Sequence, residues 1–148
     1  MTTKQAIEKV YRDSKGNSAI PANSIKACMK YASSEVGKKM EAKKNRQTIQ
    51  SAIFIEPDML TIYNDNKPKK EPDEIVRDIV TRKIGKQETR VPTYRPLIKK
   101  WKVKGIINLF GVPKDFVKEC LELGGIRYGL LSHRPEFGRF VVTKFEVK

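Results

Sequence analysis

Residues 124–140 read Gly-Gly-Ile-Arg-Tyr-Gly-Leu-Leu-Ser-His-Arg-Pro-Glu-Phe-Gly-Arg-Phe, and they stand between a predicted amphipathic helix and the last predicted strand. Glycine has no Cβ, so it lets other groups approach the backbone closely. Arginine carries a planar fork of donors that fits phosphate oxygens. Two interpretations follow: a glycine-capped helix end before an ordinary hairpin, or a loop that contacts an anionic ligand.

The segments around this stretch predict the order of elements in the later half of the chain. Pro113 is expected to begin a helix and Gly124-Gly125 to end it. Strands are predicted over residues 126–131 and 139–147. Upstream, residues 97–110 alternate like a strand, with Trp101 and Val103 on one face and three lysines, Lys100, Lys102 and Lys104, on the other. Such lysines either follow phosphates or protect an edge strand from aggregation.

The earlier half has weaker patterns. Helices are predicted over 3–12 and from a cap at Asn23 or Ser24, the latter with an apolar stripe of Ile25, Cys28, Met29 and Ala32. Strands are expected at 49–55 and 59–63, and a short helix at 73–80. Mobile basic loops are expected at about 33–48 and 81–96. The order of elements predicts an α+β domain spanning 1–148, with helices on one face of an antiparallel sheet in a ferredoxin-like, RRM-like arrangement.

Composition excludes several classes of protein. The chain has 148 residues, 39% hydrophobic and 32% charged, which is typical of a globular domain. Its longest apolar run is far shorter than the roughly 20 residues of a membrane-spanning helix. The N-terminal residues do not resemble a secretory signal, so we expect a cytoplasmic protein. One histidine and two separated cysteines fit no familiar zinc site, so no metal or cofactor is predicted.

Charge indicates a polyanionic partner. The formal net charge is +14. Residues 82–104 contain nine bases and one acid, Glu88, and residues 38–46 add five bases against Glu41. A basic surface of this kind attracts nucleic acid. Lysine enrichment for solubility or thermal adaptation is the alternative.

Two segments resemble a known family. Residues 20–27, Ile-Pro-Ala-Asn-Ser-Ile-Lys-Ala, resemble the helix-opening signature of the repeat-associated mysterious protein (RAMP) superfamily, although Ala22 and Ala27 replace its glycines. Residues 124–139 resemble the glycine-rich loop of that superfamily. Residues 95–148 resemble uncharacterised phage proteins, and 134–140 match their Arg-Pro-x-Phe-Gly-x-Phe ending, which implies the cytoplasm of a phage host. The superfamily includes the subunits that coat guide RNA in CRISPR complexes. The resemblance implies a single strand held by backbone, lysine and arginine, with head-to-tail assembly.

Three functions fit these patterns. The first is a non-enzymatic protein that binds a single strand, with RNA as the preferred candidate, and oligomerises along it. The second is an inhibitor or decoy that binds a host CRISPR or other defence complex. The third is an RNA endonuclease that uses His133 as a general acid or base. The candidate nucleic-acid-binding residues are Lys26, Lys30, Lys43, Lys44, Arg46, Arg90, Arg95, Lys100, Lys102, Lys104, Gly124, Gly125, Arg127, Tyr128, Arg134, Gly138 and Arg139.

Overall fold

The computed structural model describes residues 3–37, 39–131 and 138–147. These residues combine α-helices with small antiparallel sheets, compatible with the predicted α+β class. Contacts divide the chain into two compact units. The first unit is Met1–Ile20 with Met59–Lys104, and the second unit is Pro21–Asp58 with Gly105–Lys148. Each unit therefore joins two stretches that are distant in sequence, an organisation that chain length does not reveal.

In the second unit, helix α2 (Ala22–Ser33) is packed against three other elements, which are α3 (Ala42–Ala52), α4 (Lys114–Arg127) and strand β2 (Ile53–Glu56). The predicted apolar stripe of α2 is confirmed, because Ile25, Cys28, Met29 and Ala32 are all buried. The predicted cap is wrong. The helix begins earlier, after Pro21, and the Ala22 N–H donates to the Asp58 carbonyl oxygen instead of to a side chain. Strand β2 pairs antiparallel with β8 (Ile106–Leu109).

Helix α3 corrects two predictions. Residues 42–48 were expected in a loop and 49–52 in a strand, but both belong to this helix, which follows a 3₁₀ turn at Lys39–Glu41. Only Ile49 is fully buried on it. One turn earlier, the inward position is held by the polar residue Asn45. Its Nδ2 donates to the carbonyl oxygens of Ser33 and Val36, at 3.1 and 2.8 Å. A helix anchored by a single apolar residue and an amide has no visible hydrophobic period.

Helix α4 begins after Pro113 as predicted but does not end at Gly124-Gly125. It continues through both glycines to Arg127, so the strand predicted over 126–131 is wrong. Gly129, with φ of +71°, is the glycine that follows the helix end. No strand is found among the described residues 138–147, where one was predicted from 139. The Phe140 N–H there donates to the Gly125 carbonyl oxygen at 3.0 Å, which joins this segment to α4.

The first unit contains a short helix α1 (Thr3–Glu8) and three small sheets. Strand β1 (Ala19–Pro21) pairs with β3 (Met59–Thr61), and β4 (Tyr63–Asn64) pairs with β5 (Lys67–Pro68). Ala19, Ile20, Leu60 and Ile62 are buried around them. The Asp13 carboxylate organises the preceding turn. It accepts from the backbone N–H of Lys15 and Asn17 and from the Thr61 hydroxyl.

The third sheet is a long hairpin, formed by β6 (Glu74–Ile84) and β7 (Gln87–Leu97). This corrects the predicted helix at 73–80 and the predicted loop at 81–96. Strand β6 is rich in β-branched residues, which favour the extended conformation. Gly85, with φ of +65°, supplies the positive φ that a two-residue hairpin turn requires. The two prolines of β7 had argued against a strand, but an edge strand accepts proline where its N–H would face solvent.

The single strand predicted over 97–110 is also wrong. Strand β7 ends at Leu97, and β8 begins only at Ile106. Between them, Lys102 forms an isolated bridge with Tyr63. The boundary between the units lies after Lys104. The segment therefore consists of the end of β7, an isolated bridge and β8, and it does not form one strand.

Candidate nucleic-acid interface

The hairpin of β6 and β7 carries a basic face. Residues opposite each other in an antiparallel pair share one face of the sheet. Arg77 is opposite Tyr94, Thr81 is opposite Arg90, and Lys83 is opposite Glu88. Two residues farther along each strand return to the same face. We call this the hairpin face, and its members are Ile75, Arg77, Ile79, Thr81, Lys83, Glu88, Arg90, Pro92, Tyr94 and Pro96.

The hairpin face is exposed and weakly neutralised. Arg77, Lys83 and Arg90 are exposed, as is Lys86 in the turn. Its single acid is Glu88, whose Oε1 lies 4.0 Å from Lys83 Nζ. Arg77, Lys86 and Arg90 form no ion pair with any side chain that the structure describes, a set that leaves out Asp78, Val80 and Arg82. Ile79 is 63% exposed between these bases. The face therefore presents cations and apolar surface together, as contacts to the phosphates and bases of a strand require.

A second set of bases lies on helices α2 and α3 of the second unit. Lys26 Nζ donates to the Gln50 carbonyl oxygen at 2.9 Å, and Lys30 Nζ donates to Gln50 Oε1 at 3.3 Å. The predicted residues Lys43, Lys44 and Arg46 are exposed on α3. Sequence reasoning placed these three on a mobile loop, whereas the helix fixes their spacing. The positive charge of the second unit is thus held on regular structure.

An exposed aromatic pair, which sequence reasoning missed, lies beside Lys26. The rings of Phe54 in β2 and Phe110 after β8 are 5.6 Å apart and edge-to-face, with planes at 79°. Phe54 is 50% exposed and Phe110 is 65% exposed. The Lys26 ammonium lies 4.7 Å from the centre of the Phe54 ring. The available signal was alternation, because residues 53–56 place Ile53 inward and Phe54 outward.

Arg127 and Tyr128 form a cluster with helix α2. Arg127 Nη1 donates to Glu35 Oε2 at 2.8 Å, and the Tyr128 ring stacks on Tyr31 at 6.1 Å between centroids. Hydrogen bonds from Tyr128 and Arg127 lower the pKa of the Glu35 carboxyl. Burial and the neighbouring Glu35 carboxylate raise the pKa of Tyr128. A phosphate that binds Arg127 would compete with Glu35, so this arginine is a weaker anion site than the sequence predicts.

The three predicted glycines have other protein atoms against their open sides. A methyl group on Gly124 would meet Cys28, one on Gly125 would meet Phe140, and one on Gly138 would meet the Leu130 backbone. The absence of a side chain at these positions is therefore explained by close packing within the protein. A nucleic acid has no access to the same space at Gly124 and Gly125, which are buried.

The remaining predicted site residues belong to different units. Arg90, Arg95 and the three lysines Lys100, Lys102 and Lys104 belong to the first unit, whereas Arg139 belongs to the second unit and is exposed. Lys104 Nζ lies 5.4 Å from the centre of the Tyr63 ring. His133 and Arg134 lie outside the described residues. The lysines are exposed but do not form the regular ladder that a continuous strand would have produced.

The described ranges contain neither a metal-binding cluster nor a membrane-spanning helix. No group of three or more His, Cys, Asp or Glu side chains there could hold a metal ion. No helix of 3–37, 39–131 or 138–147 combines the length and the apolar character needed to cross a bilayer.

No protein-family model matches the chain, and neither curated proteins nor solved structures give a match. A function is therefore inferred from the residues of the chain itself.

Proposed function

We propose that this protein binds single-stranded nucleic acid, with RNA as the preferred ligand, and that it assembles along the strand without catalysing a reaction. The observation that carries the proposal is the hairpin face. This face has three exposed bases, Arg77, Lys83 and Arg90, around an apolar centre. Each of its two strands is 11 residues long. At about 3.4 Å per residue, such a hairpin follows several nucleotides of an extended strand.

Electrostatics supports this proposal over the binding of a neutral partner. The net charge is +14, and a polyanion gains affinity from every counterion that it releases when a phosphate is neutralised. Three of the four bases at the hairpin face and its turn have no ion-pair partner among the side chains that the structure describes. They require no internal salt bridge to be broken before a phosphate binds. The bases of α2 and α3 extend the same charge preference to the second unit.

The resemblance to the RAMP superfamily, the ferredoxin-like arrangement of the strands, head-to-tail assembly and a cytoplasmic location all belong to this proposal. The inhibitor function finds support in the exposed side chains of Ile79 and Ile84, 63% and 70% accessible, which a protein partner would cover. The ribonuclease function depends on His133, outside the described residues. Affinity for an oligonucleotide distinguishes nucleic-acid binding from protein binding.

The test is the salt dependence of affinity for an unstructured RNA, measured by fluorescence anisotropy with labelled oligo(U). Each phosphate contact on a single strand contributes about 0.7 to the slope of log K against log salt concentration. Replacing Arg77, Lys83 and Arg90 together with Gln should therefore reduce the slope by about 2. The matched control replaces Lys15, Lys67 and Lys70, which are exposed in the same unit, and should leave the slope unchanged.

Three outcomes would count against the proposal. Wild-type affinity that does not fall between low and moderate salt excludes phosphate contact as its source. Equal losses in the hairpin and control variants would show that only net charge matters. Binding to a defence complex in the absence of any oligonucleotide affinity would favour the inhibitor function. Electron microscopy with a long single strand tests assembly, because regular filaments should form only when the strand is present.

A further inference from the structure

The outer face of the β2–β8 sheet carries large apolar side chains beside the polar residues Asn108 and Glu56, and it is open to solvent. In the antiparallel register, Phe54 is opposite Asn108 and Glu56 is opposite Ile106. Alternation turns Ile53 into the core, fully buried, and leaves Phe54 and Ile106 outside at 50% and 61% exposure. Phe110 follows β8 and is 65% exposed. Three large apolar side chains on one small face are more than a soluble surface needs.

The two rings of this face project from hydrogen-bonded backbone. Phe54 lies within β2, between residues that pair with β8. Phe110 lies one residue beyond β8, and its N–H donates to the Ala52 carbonyl oxygen at 3.0 Å. The ring centres are 5.6 Å apart with planes at 79°. A ligand that covers these rings therefore meets a preformed surface and orders little protein on binding.

Cations border the rings on the side of helix α2. Lys26 Nζ lies over one face of the Phe54 ring, 4.7 Å from its centre, so a base would stack on the opposite face. Lys26 shares Gln50 with Lys30, through the carbonyl and the amide oxygen respectively. An ammonium has three donors, so the hydrogen bond from Lys26 to Gln50 leaves it others for an anion. The ligand that suits this surface has a flat apolar part for the rings and a negative charge for the lysines.

We propose that Phe54 and Phe110 stack unpaired nucleobases while Lys26 and Lys30 contact the adjoining phosphates, which makes this face the element that selects a single strand. The inference rests on the proposed function and assigns it a second, base-contacting site. Stacking on aromatic side chains tolerates any base, because every base has a π-face. A duplex cannot use the site, since the faces of its bases are already stacked.

The angle between the rings adds a preference among bases. Two bases that lie flat on rings 79° apart cannot also be stacked on each other. Binding therefore separates neighbouring bases. Uridines stack weakly in a free strand and adenosines stack strongly, so oligo(A) has to lose more of its own stacking than oligo(U). The site should prefer oligo(U) over oligo(A) of equal length, and this preference should disappear with the rings.

The experiment compares oligo(U) with an abasic strand of the same length and charge, using wild-type protein and the double variant Phe54→Ala, Phe110→Ala. Removing an aromatic side chain on which a base stacks lowers affinity roughly 5- to 150-fold per base. The double variant should therefore bind oligo(U) at least about tenfold more weakly. It should bind the abasic strand with affinity within about twofold of wild type. The variant Phe54→Leu, Phe110→Leu keeps apolar area without a π-face and should behave like the alanine variant.

Controls separate this inference from the proposed function. Tyr11→Ala removes an aromatic side chain of similar exposure, 50%, from the first unit and should bind both strands normally. If the ring variants bind oligo(U) like wild type, which itself shows a steep salt slope, the stacking site is wrong and the proposed function stands. If wild type binds neither strand, the proposed function fails. If the variants lose self-association in sedimentation but keep RNA affinity, the face is a protein interface and the inference is overturned.

Discussion

Gly124 of α4 lies directly against Cys28 of α2. A methyl group at the Gly124 Cα would lie 2.7 Å from Cys28 Sγ and 3.2 Å from the Cys28 carbonyl oxygen. Both residues are buried. The two helices can approach this closely only because position 124 has no side chain. Gly124 therefore determines helix packing in the second unit.

Gly124→Ala should destabilise the protein, although alanine is the better helix former by about 1 kcal/mol. Overpacking a close contact costs roughly 1–3 kcal/mol, and part of it here is against a carbonyl oxygen that cannot rotate away. The melting temperature should fall. Introducing Cys28→Ala in the same chain removes the Sγ contact, so the effect of Gly124→Ala should be smaller in that background. Additive effects of the two changes would contradict the contact.

Acid should weaken the contact between Glu35 and Arg127. Hydrogen bonds from Tyr128 and Arg127 lower the folded-state pKa of Glu35. A lowered pKa stabilises the fold above the ordinary carboxyl range, and this contribution is lost as pH falls through the folded pKa. Melting temperatures from pH 7 down to 3 should show Glu35→Gln losing less stability on acidification than wild type. Glu8→Gln, at an exposed position of α1, is the control and should follow wild type.

The two cysteines should resist modification in the folded protein. Burial raises the pKa of Cys120 to about 12, so its thiolate is scarce at neutral pH. Cys28 is buried as well. Iodoacetamide at pH 8 should leave both thiols unmodified under native conditions and label both in guanidinium chloride, as mass spectrometry would show. Rapid labelling of either residue without denaturant would mean that the α2–α4 packing opens readily.

Replacing Thr93 with valine should stabilise the first unit. The Thr93 hydroxyl oxygen is buried and has no hydrogen-bond partner among the described residues. Valine has nearly the same shape, favours strands and removes the unsatisfied group, which costs about 1–3 kcal/mol when buried. Chemical denaturation should show a higher midpoint for Thr93→Val. Thr93→Ser keeps the hydroxyl and should not share the gain. A lower midpoint for valine would indicate that the hydroxyl has a partner in solution.

Local patterns were sufficient where one face of an element carries several apolar residues. Helix α2 was predicted with its buried residues because four of them recur at helical spacing. The start of α4 was predicted from Pro113. The patterns failed at α3, where Asn45 stands in an inward position, and at the hairpin, where no residue of described burial is fully buried. In both, the conformation is stabilised by a neighbouring segment of the chain: Ser33 and Val36 accept from Asn45, and each hairpin strand pairs with the other.

The candidate site shows the same division. The excess of lysine and arginine, and their concentration in residues 38–46 and 82–104, are properties of the sequence alone. Which of these bases share a surface was not predictable. The register of β6 against β7 placed Arg77 and Arg90 on one face, and the pairing of β2 with β8 exposed Phe54. The sequence does not indicate that Phe110 belongs to an aromatic pair, because its partner ring is 56 residues away.

The sequence by itself determined the charge of this protein, the apolar face of α2 and the presence of glycines at 124 and 125. Only the tertiary structure decided what those glycines do. A glycine pair ends a helix when the chain must turn there, and it continues the helix when a neighbour needs the space of its side chain. Helix α2 and Phe140 occupy that space. The residues are the same in either case, and the packing partner determines their role.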